Sequence, residues 1–295
     1  MKKFLLVSLM LVFPLAVYAQ EAPALPYLAI DRNPATLATG AAQAVSGLYN
    51  PAAIPFTGSD IMLSYQSWAP SVAKSAHFNL MGAVKLGKKA GLHFYGGLQK
   101  GEEYSITDEG GSSVGSFKPS DLLFGAGFGY AVSRNWSLGG DLLIARSKLS
   151  PSDAVSSFGA NLFVLYSKGA LKASAGVANL GLPVSSGDKS YPVPSSAKAG
   201  ADYGLAFGSC HLDFRADFDL FFSGGLRFGG GAQFDWNDMV FVRGGYHFAT
   251  QKAPVPSFAA VGAGFKIAGF HLDAAFLLAS PALGKSLTIG LGYAF

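Results

Sequence analysis

Strict alternation of apolar and polar residues is the sequence feature that most limits how this chain can fold. Between Cys210 and Phe222, one face would carry Leu212, Phe214, Ala216, Phe218, Leu220 and Phe222, and the other His211, Asp213, Arg215, Asp217 and Asp219. Successive strand residues point to opposite faces, so the pattern predicts a strand with one apolar and one charged face. Such a strand suits a membrane wall, with lipid outside and water or protein inside.

The same alternation recurs to the end of the chain. It predicts fourteen strands, near residues 59–67, 75–86, 90–101, 120–132, 135–147, 154–167, 169–180, 195–207, 209–222, 224–236, 239–249, 257–267, 269–279 and 286–295. The long connections, including 102–119 and 181–194, follow odd-numbered strands. Short periplasmic turns and longer outer loops are typical of bacterial barrels. The sequence therefore predicts an all-β membrane fold, a 14-stranded antiparallel transmembrane β-barrel.

Composition supports a membrane barrel over a soluble domain. Hydrophobic residues make up 50% of the chain and charged residues only 14%, which is unusually apolar for a protein in water. After the N-terminus, no apolar run is long enough for a membrane helix. Every backbone polar group must be paired inside a bilayer, and a closed barrel achieves this without helices.

The N-terminus has the three regions of a secretory signal peptide: Lys2 and Lys3, an apolar run from Phe4 to Val17, and a small-residue cleavage site ending at Ala19. We expect residues 1–19 to be removed and the mature protein to reach the outer membrane. Without residues 1–19, the chain has 20 basic and 18 acidic residues. This excess of positive charge is too small to indicate nucleic-acid binding. Cys210 is the only cysteine, so an intrachain disulfide is excluded.

The segment before the first strand does not alternate. Small residues dominate its first half, from Ala35 to Gly47, and it ends in Leu48, Tyr49, Asn50, Pro51 and Ala52. Small side chains allow close backbone packing in a confined space, and Pro51 disfavours helix at the residue before it. We predict that residues 20–58 form a small plug, or hatch, inside a barrel of residues 59–295.

Charged residues on the predicted inward faces are the candidate lumen residues. They are Asp213, Arg215, Asp217, Asp219, Arg227, Asp235, Arg243 and Asp273. They are expected to neutralise one another and hold the lumen together, and the alternative is that they line a ligand path or anchor the plug. The inward glycines at 125, 127 and 129 are expected to make room for the plug.

Nothing in the sequence singles out a catalytic, metal or cofactor site. The five histidines fall on inward positions without the recognisable ligand spacing of a metal site. Inward Ser, His and Asp residues show no spacing that selects a nucleophile, base and orienting group. We therefore expect a protein that is not an enzyme and has no cofactor.

The segment ending in Leu48-Tyr49-Asn50-Pro51-Ala52, followed by the amphipathic strand Asp60 to Tyr65, resembles the N-terminal hatch of FadL-like outer-membrane barrels. Members of that superfamily share an Asn-Pro-Ala element there and have fourteen strands. Within it, Leu25 to Leu28 and Phe117 to Asp121 are more similar to the PorV/PorQ branch. The resemblance implies a non-enzymatic component of type IX protein secretion that shuttles cargo or anchors a partner.

Two functions follow, and a purely structural role stays open beside them. In the first, the barrel sits in outer-membrane lipid and docks secretion or surface proteins on the outer loops 102–119 and 181–194. In the second, it transports a hydrophobic ligand, as fatty-acid members of the superfamily do. The second predicts an apolar pocket near Tyr49, Phe56, Met81, Tyr95 and Leu123.

Overall fold

The computed structural model describes residues 23–186, 188–278 and 280–295; the predicted signal peptide lies outside them. The strands of the described residues are β1 Asp60–Trp68, β2 Ser75–Leu86, β3 Ala90–Lys100, β4 Tyr104–Thr107, β5 Ser113–Phe117, β6 Ser120–Ala131, β7 Trp136–Lys148, β8 Ala154–Lys168, β9 Leu171–Gly181, β10 Val184–Ser186, β11 Lys189–Tyr191, β12 Ser196–Phe207, β13 Cys210–Phe221, β14 Leu226–Trp236, β15 Val240–Ala249, β16 Phe258–Ile267, β17 Phe270–Leu278 and β18 Leu287–Ala294. Three short helices precede them: the 3₁₀-helices η1, Pro26–Ala29, and η2, Pro51–Phe56, and the α-helix α1, Pro34–Ala38.

Fourteen of these strands form one closed antiparallel barrel, which confirms the predicted fold class. Neighbours in sequence pair around the wall, and β18 returns to pair with β1, where Asp60 lies opposite Ala294. Each barrel strand begins and ends within two residues of its predicted position. Closure pairs the backbone groups of the first and last strands, so the wall has no free edge.

The outer face is apolar and the inner face is polar, as the alternation predicted. On β13, Phe214 and Phe218 are 47% and 41% exposed, whereas Asp217 and Asp219 are each 1% exposed. Water cannot compensate an apolar surface of this extent, and lipid can. Among the described residues, no helix has the length and apolarity needed to cross a membrane.

Two hairpins in the long connections differ from the prediction, which treated these connections as loops. β4 pairs with β5, and β10 pairs with β11, each as a separate two-stranded sheet. Both hairpins are short, and most of their residues are exposed on both faces. Val184 of β10 is the exception, since it is buried in the main core. Strands this short and mostly exposed carry no alternation from which they could be predicted.

The N-terminal segment, residues 23–58, lies inside the barrel and is called the plug below. Its helix α1 packs against β15 to β18, and η2 packs against β2, β3, β6, β7 and β8 on the other side of the lumen. Leu37, Ala52 and Ile54 are at most 1% exposed. The main hydrophobic core is therefore formed between plug and wall.

Candidate functional site

The Asn-Pro-Ala sequence occurs twice in the plug, and each copy begins a helix. Asn33 and Asn50 are the N-caps: their side chains accept hydrogen bonds from the backbone N–H of Ala35 (2.8 Å) and Ala52 (2.9 Å). The proline in each copy occupies the first helical turn, where no intrahelical N–H bond is lost. The prediction recognised the second copy and missed the first, although the repeat is visible in the sequence.

Asn50 also joins the plug to the wall. Its Nδ2 donates to the carbonyl of Ala44 at 2.6 Å and to Ser174 Oγ of strand β9 at 2.8 Å. Tyr49 donates its hydroxyl to the carbonyl of Ile30 at 3.1 Å. The residues predicted as the plug element, Leu48, Tyr49, Asn50, Pro51 and Ala52, thus lie together within the lumen.

Wall glycines let the plug backbone approach closely. A Cβ atom at Gly129 or Gly139 would overlap the backbone of Pro51 and Ala52, and one at Gly245 would overlap the backbone of Thr39 and Gly40. Of the three glycines predicted to make room for the plug, only Gly129 contacts it. The other two accommodate wall residues: Gly125 faces the Tyr95 ring, and Gly127 faces Asp141.

A buried charge cluster connects β12, β13 and β14 to the plug. Lys198 Nζ lies 3.7 Å from Asp217 and 3.5 Å from Asp219, and Arg227 pairs with the same two carboxylates. Asp217 also accepts backbone N–H bonds from Gln43 (2.6 Å) and Ala44 (2.9 Å) of the plug. The cluster thus contains two cations and two anions. One of the anions, Asp217, is hydrogen-bonded to the plug.

The other predicted lumen residues lie in smaller groups of mixed sign. Arg243 Nη1 is 2.5 Å from Asp273, which also contacts His271 at 2.7 Å. Arg215 is 3.4 Å from Asp202, and Asp235 is 3.8 Å from His211. Asp213 is half-buried on the same face of β13. The structure therefore brings only Asp217, Asp219 and Arg227 of the predicted set together at the plug.

A partly open cavity of about 50 Å³ lies between the plug and the wall. Apolar side chains from both parts line it: Leu28 and Leu48 from the plug, and Leu123, Leu143 and Phe163 from the wall. The predicted pocket is partly correct, since Tyr49, Tyr95 and Leu123 border this cavity. Phe56 and Met81 do not, because Phe56 packs in a separate cluster and Met81 is covered by the main core.

The polar part of the cavity lining includes Arg32, which the prediction missed. Its guanidinium carbon lies 5.4 Å from the centre of the Tyr49 ring and 5.3 Å from that of Tyr95. The neighbouring carboxyl of Asp31 accepts hydrogen bonds from Asn33 N and Thr36 Oγ1, both at 3.0 Å. Burial raises the pKa of this plug carboxyl to about 6.

The described residues contain no cluster of three or more His, Cys, Asp or Glu side chains that could hold a metal ion. The side chains that line the cavity offer apolar walls, two tyrosine rings and charged groups as binding contacts.

A closed antiparallel barrel with an apolar exterior and a filled polar lumen is a transmembrane β-barrel of the outer-membrane class. No family model and no curated protein matches the sequence. Among solved structures, the toluene transporter TbuX of Ralstonia pickettii aligns with a TM-score of 0.56 and 12% identity, over 89% of this chain and 98% of TbuX.

Two further solved structures show the same likeness. The monoaromatic hydrocarbon channel CymD gives a TM-score of 0.57 at 13% identity, over 90% of this chain and 97% of CymD. A FadL homologue of Pseudomonas aeruginosa gives 0.52 at 11% identity, over 89% and 95% of the two chains. At these identities the likeness establishes a FadL-like barrel fold. It does not bear on the PorV/PorQ branch, which stays a prediction.

Proposed function

We propose that this chain is a non-enzymatic outer-membrane channel for small hydrophobic molecules, gated by its plug. The observation that carries the proposal is the cavity between plug and wall, which apolar side chains from both parts line together with polar ones. Solved structures of the same fold include a toluene transporter and a monoaromatic hydrocarbon channel. The apolar part of the lining, which includes Leu28, Leu48, Leu123, Leu143 and Phe163, suits such compounds.

In this proposal the plug can be displaced from the wall. Its helices α1 and η2 have five and six residues, and no covalent bond beyond the chain itself holds them in the described structure. The polar contacts that position its middle are few, chiefly those of Asp217 and Asn50. In the proposed mechanism, displacement of residues 39–50 opens the cavity toward both ends of the lumen, and the barrel wall stays unchanged.

Two adjacent wall residues give a matched test of this route. Leu123 is 3% exposed and lines the cavity, whereas Leu122 is 38% exposed on the outer face. We expect Leu123→Trp to reduce uptake of radiolabelled toluene about tenfold in cells carrying the protein, because the larger ring fills the cavity. Leu122→Trp should leave uptake unchanged.

Assembly of both variants is checked by the heat-dependent shift of folded barrels on gel electrophoresis. Equal toluene uptake by folded Leu123→Trp and wild-type protein would contradict the proposed route. Wild-type uptake no higher than that of cells without the protein would contradict the channel itself.

A second candidate function, surface docking of the PorV/PorQ type in type IX secretion, is favoured by the two hairpins. Both belong to long connections at the same end of the barrel, and the β4–β5 hairpin presents mostly exposed residues. Exposed strands with unpaired edges can add strands of a partner protein. In this proposal the filled lumen serves as scaffold and the hairpins are the contact surface.

Deleting Ser105–Ser116 tests the docking function without removing any barrel strand. The backbone hydrogen bond from Gly101 N to the Pro119 carbonyl, 2.9 Å, closes the hairpin at its base, so the wall should still assemble. We expect a loss of surface-retained or secreted protein in the native host. The control replaces the same residues with a Gly/Ser segment of equal length, which should fail equally. Normal secretion by the folded deletion variant would argue against docking at this hairpin.

A further inference from the structure

The lipid-facing side of the barrel carries three of its four charged residues in one place. Outward-facing positions of the described barrel strands hold no Asp or Glu and four cations: Lys100, Arg146, Lys148 and Lys168. Lys168 lies at the opposite end, before the short turn that leads to β9. The other three are neighbours, because Lys100 and Lys148 pair with Ser120 of β6 from opposite sides. Lys100, Arg146 and Lys148 are called the rim patch below.

The rim patch lies at the outer boundary of the apolar band. On β7 the outward-facing residues are uncharged from Trp136 to Ile144, and Arg146 and Lys148 follow. Arg146 comes ten residues after Trp136, which is about 25 Å of height at a strand tilt of about 40°. The apolar band of such barrels is about 25 Å tall, so Arg146 stands where the lipid headgroups begin. This end of the barrel carries the long connections and is therefore the outer one.

The rim patch is exposed and has no ion-pair partner among the described residues. The acidic residues nearest to Lys100 in sequence are engaged elsewhere. Glu102 pairs with Lys74 at 2.6 Å, and Glu103 accepts a hydrogen bond from Ser116. Asp121 lies on the inner face of β6, behind the wall. The positive charge of the rim patch is thus available to an anion that approaches from the membrane side.

The base of the β4–β5 hairpin positions Lys148. Lys148 Nζ lies 5.6 Å from the centre of the Phe117 ring. That ring packs against Tyr104, whose hydroxyl donates to the carbonyl of Leu149 at 2.9 Å. Contact with a ring face orients an ammonium group and leaves N–H donors free for an acceptor.

A shallow groove on the lipid-facing surface ends beside Arg146. The row of residues that continues from Arg146 across β6, β3, β2 and β1 lines this groove: Leu122, Leu98, Phe78 and Tyr65. Gly96 forms the floor, because its missing side chain leaves a depression between Leu80 and Phe124. The volume of about 650 Å³ lies within the usual range of ligand sites.

We propose that the rim patch and the groove together bind a lipid with an anionic phosphate headgroup in the outer leaflet. Arg146 offers a planar fork that matches two phosphate oxygens, and Lys100 and Lys148 contribute point charges. The groove takes an acyl chain of the same lipid. A zwitterionic lipid balances its phosphate with its own cation, so the site selects lipids whose phosphate is unbalanced. Because the site lies outside the barrel, it does not depend on what the lumen conducts.

Native mass spectrometry of the full chain in detergent tests the site. The probes are lipid A with its phosphates, dephosphorylated lipid A, and inorganic phosphate as a competitor. We expect the wild-type protein to retain phosphorylated lipid A and to bind the dephosphorylated form at least about tenfold more weakly. The triple variant Lys100→Gln, Arg146→Gln, Lys148→Gln should lose about a hundredfold in affinity, since each cation near a charged lipid contributes about fivefold.

The matched control removes three exposed cations from the short turns at the other end of the barrel: Lys88→Gln, Lys89→Gln, Arg134→Gln. Its net charge equals that of the first triple variant, and it should bind lipid A as the wild type does. The residues of both variants are exposed, so the barrels should assemble, which the gel shift on heating verifies.

The groove has its own pair of variants. Gly96→Leu fills the floor, where Phe124 is 56% exposed and can rotate aside. We expect it to lower the affinity for lipid A at least about fourfold, the effect of losing one buried CH₂ contact. Gly230→Leu adds the same side chain to the lipid-facing side of β14, outside the groove, and should bind as wild type.

Four results would overturn the assignment. They are wild-type affinity in the rim-patch variant, equal losses in both triple variants, equal affinity for dephosphorylated lipid A, and displacement of lipid A by an equal concentration of inorganic phosphate. The last result would assign the rim patch to free phosphate. Wild-type affinity in Gly96→Leu would exclude the groove from the site.

Discussion

Asp217→Asn is expected to release the middle of the plug from the wall and to destabilise the folded protein by about 3–5 kcal/mol, the cost of removing one partner from a buried charge group. The carboxylate accepts N–H bonds from Gln43 and Ala44 and lies within 4 Å of Lys198 and Arg227. After the change, Asp219 would be the one carboxylate within 4 Å of the two buried cations in the described structure. Both plug bonding and lumen charge balance depend on this one side chain.

Hydrogen–deuterium exchange of residues 39–47 measures the release directly, and denaturant unfolding measures the stability. Asp213→Asn is the matched control, because Asp213 lies on the same face of the same strand, is half-buried, and has no ion pair in the described residues. We expect fast exchange of the plug residues in Asp217→Asn and wild-type exchange in Asp213→Asn. Equal protection in the two variants would show that Asp217 does not hold the plug.

Gly245→Ala adds only one carbon atom, and we expect it to displace the turn at Thr39 and Gly40 of the plug. A Cβ at Gly245 would overlap the backbone of both residues, and backbone atoms cannot rotate away as a side chain can. Gly40 itself has a φ of 76°, a conformation in which other residues are strained. Overpacking of a tight contact costs about 1–3 kcal/mol, and here the strain falls on the plug because β15 is held by strands on both sides.

The adjacent glycine supplies the control. A Cβ at Gly244 would meet nothing within 4 Å, since this residue faces outward. Limited proteolysis from the open ends of the barrel, followed by mass spectrometry, should cleave the plug of Gly245→Ala and spare that of Gly244→Ala. If both variants resist cleavage equally, the close packing of plug on β15 does not restrain the plug.

The strands of the barrel wall could be predicted because every residue in them must face either lipid or the lumen. A strand between lipid and lumen must alternate along its whole length, as Phe214, Phe218 and their inward neighbours do, so each strand repeats the signal several times. The parity of long and short connections agreed with this strand assignment. The β4–β5 hairpin was missed because most of its residues are exposed on both faces. The β10–β11 hairpin was missed because strands of three residues are too short to show an alternation.

The sequence predicted which residues lie in the lumen, but it did not predict which of them contact one another. The second Asn-Pro-Ala element was recognised, and the inward charges were assigned to the lumen. Which charges meet was not predictable, because Asp217 bonds to Gln43 across 174 positions of sequence. The local sequence pattern predicts which face of a strand a side chain lies on. It does not predict which residue lies opposite it across the lumen of a closed barrel.

Sequence alone therefore determined the membrane class, the strand number and the presence of a distinct N-terminal segment, since alternation and its absence are local properties. The tertiary structure decided that Gly245 and Gly129 contact plug backbone, that Asp217 is hydrogen-bonded to the plug, and that Arg32 lies between the rings of Tyr49 and Tyr95 at the cavity. These facts depend on how a folded segment fits within a closed wall. That fit is set by long-range contacts, which no local run of residues specifies.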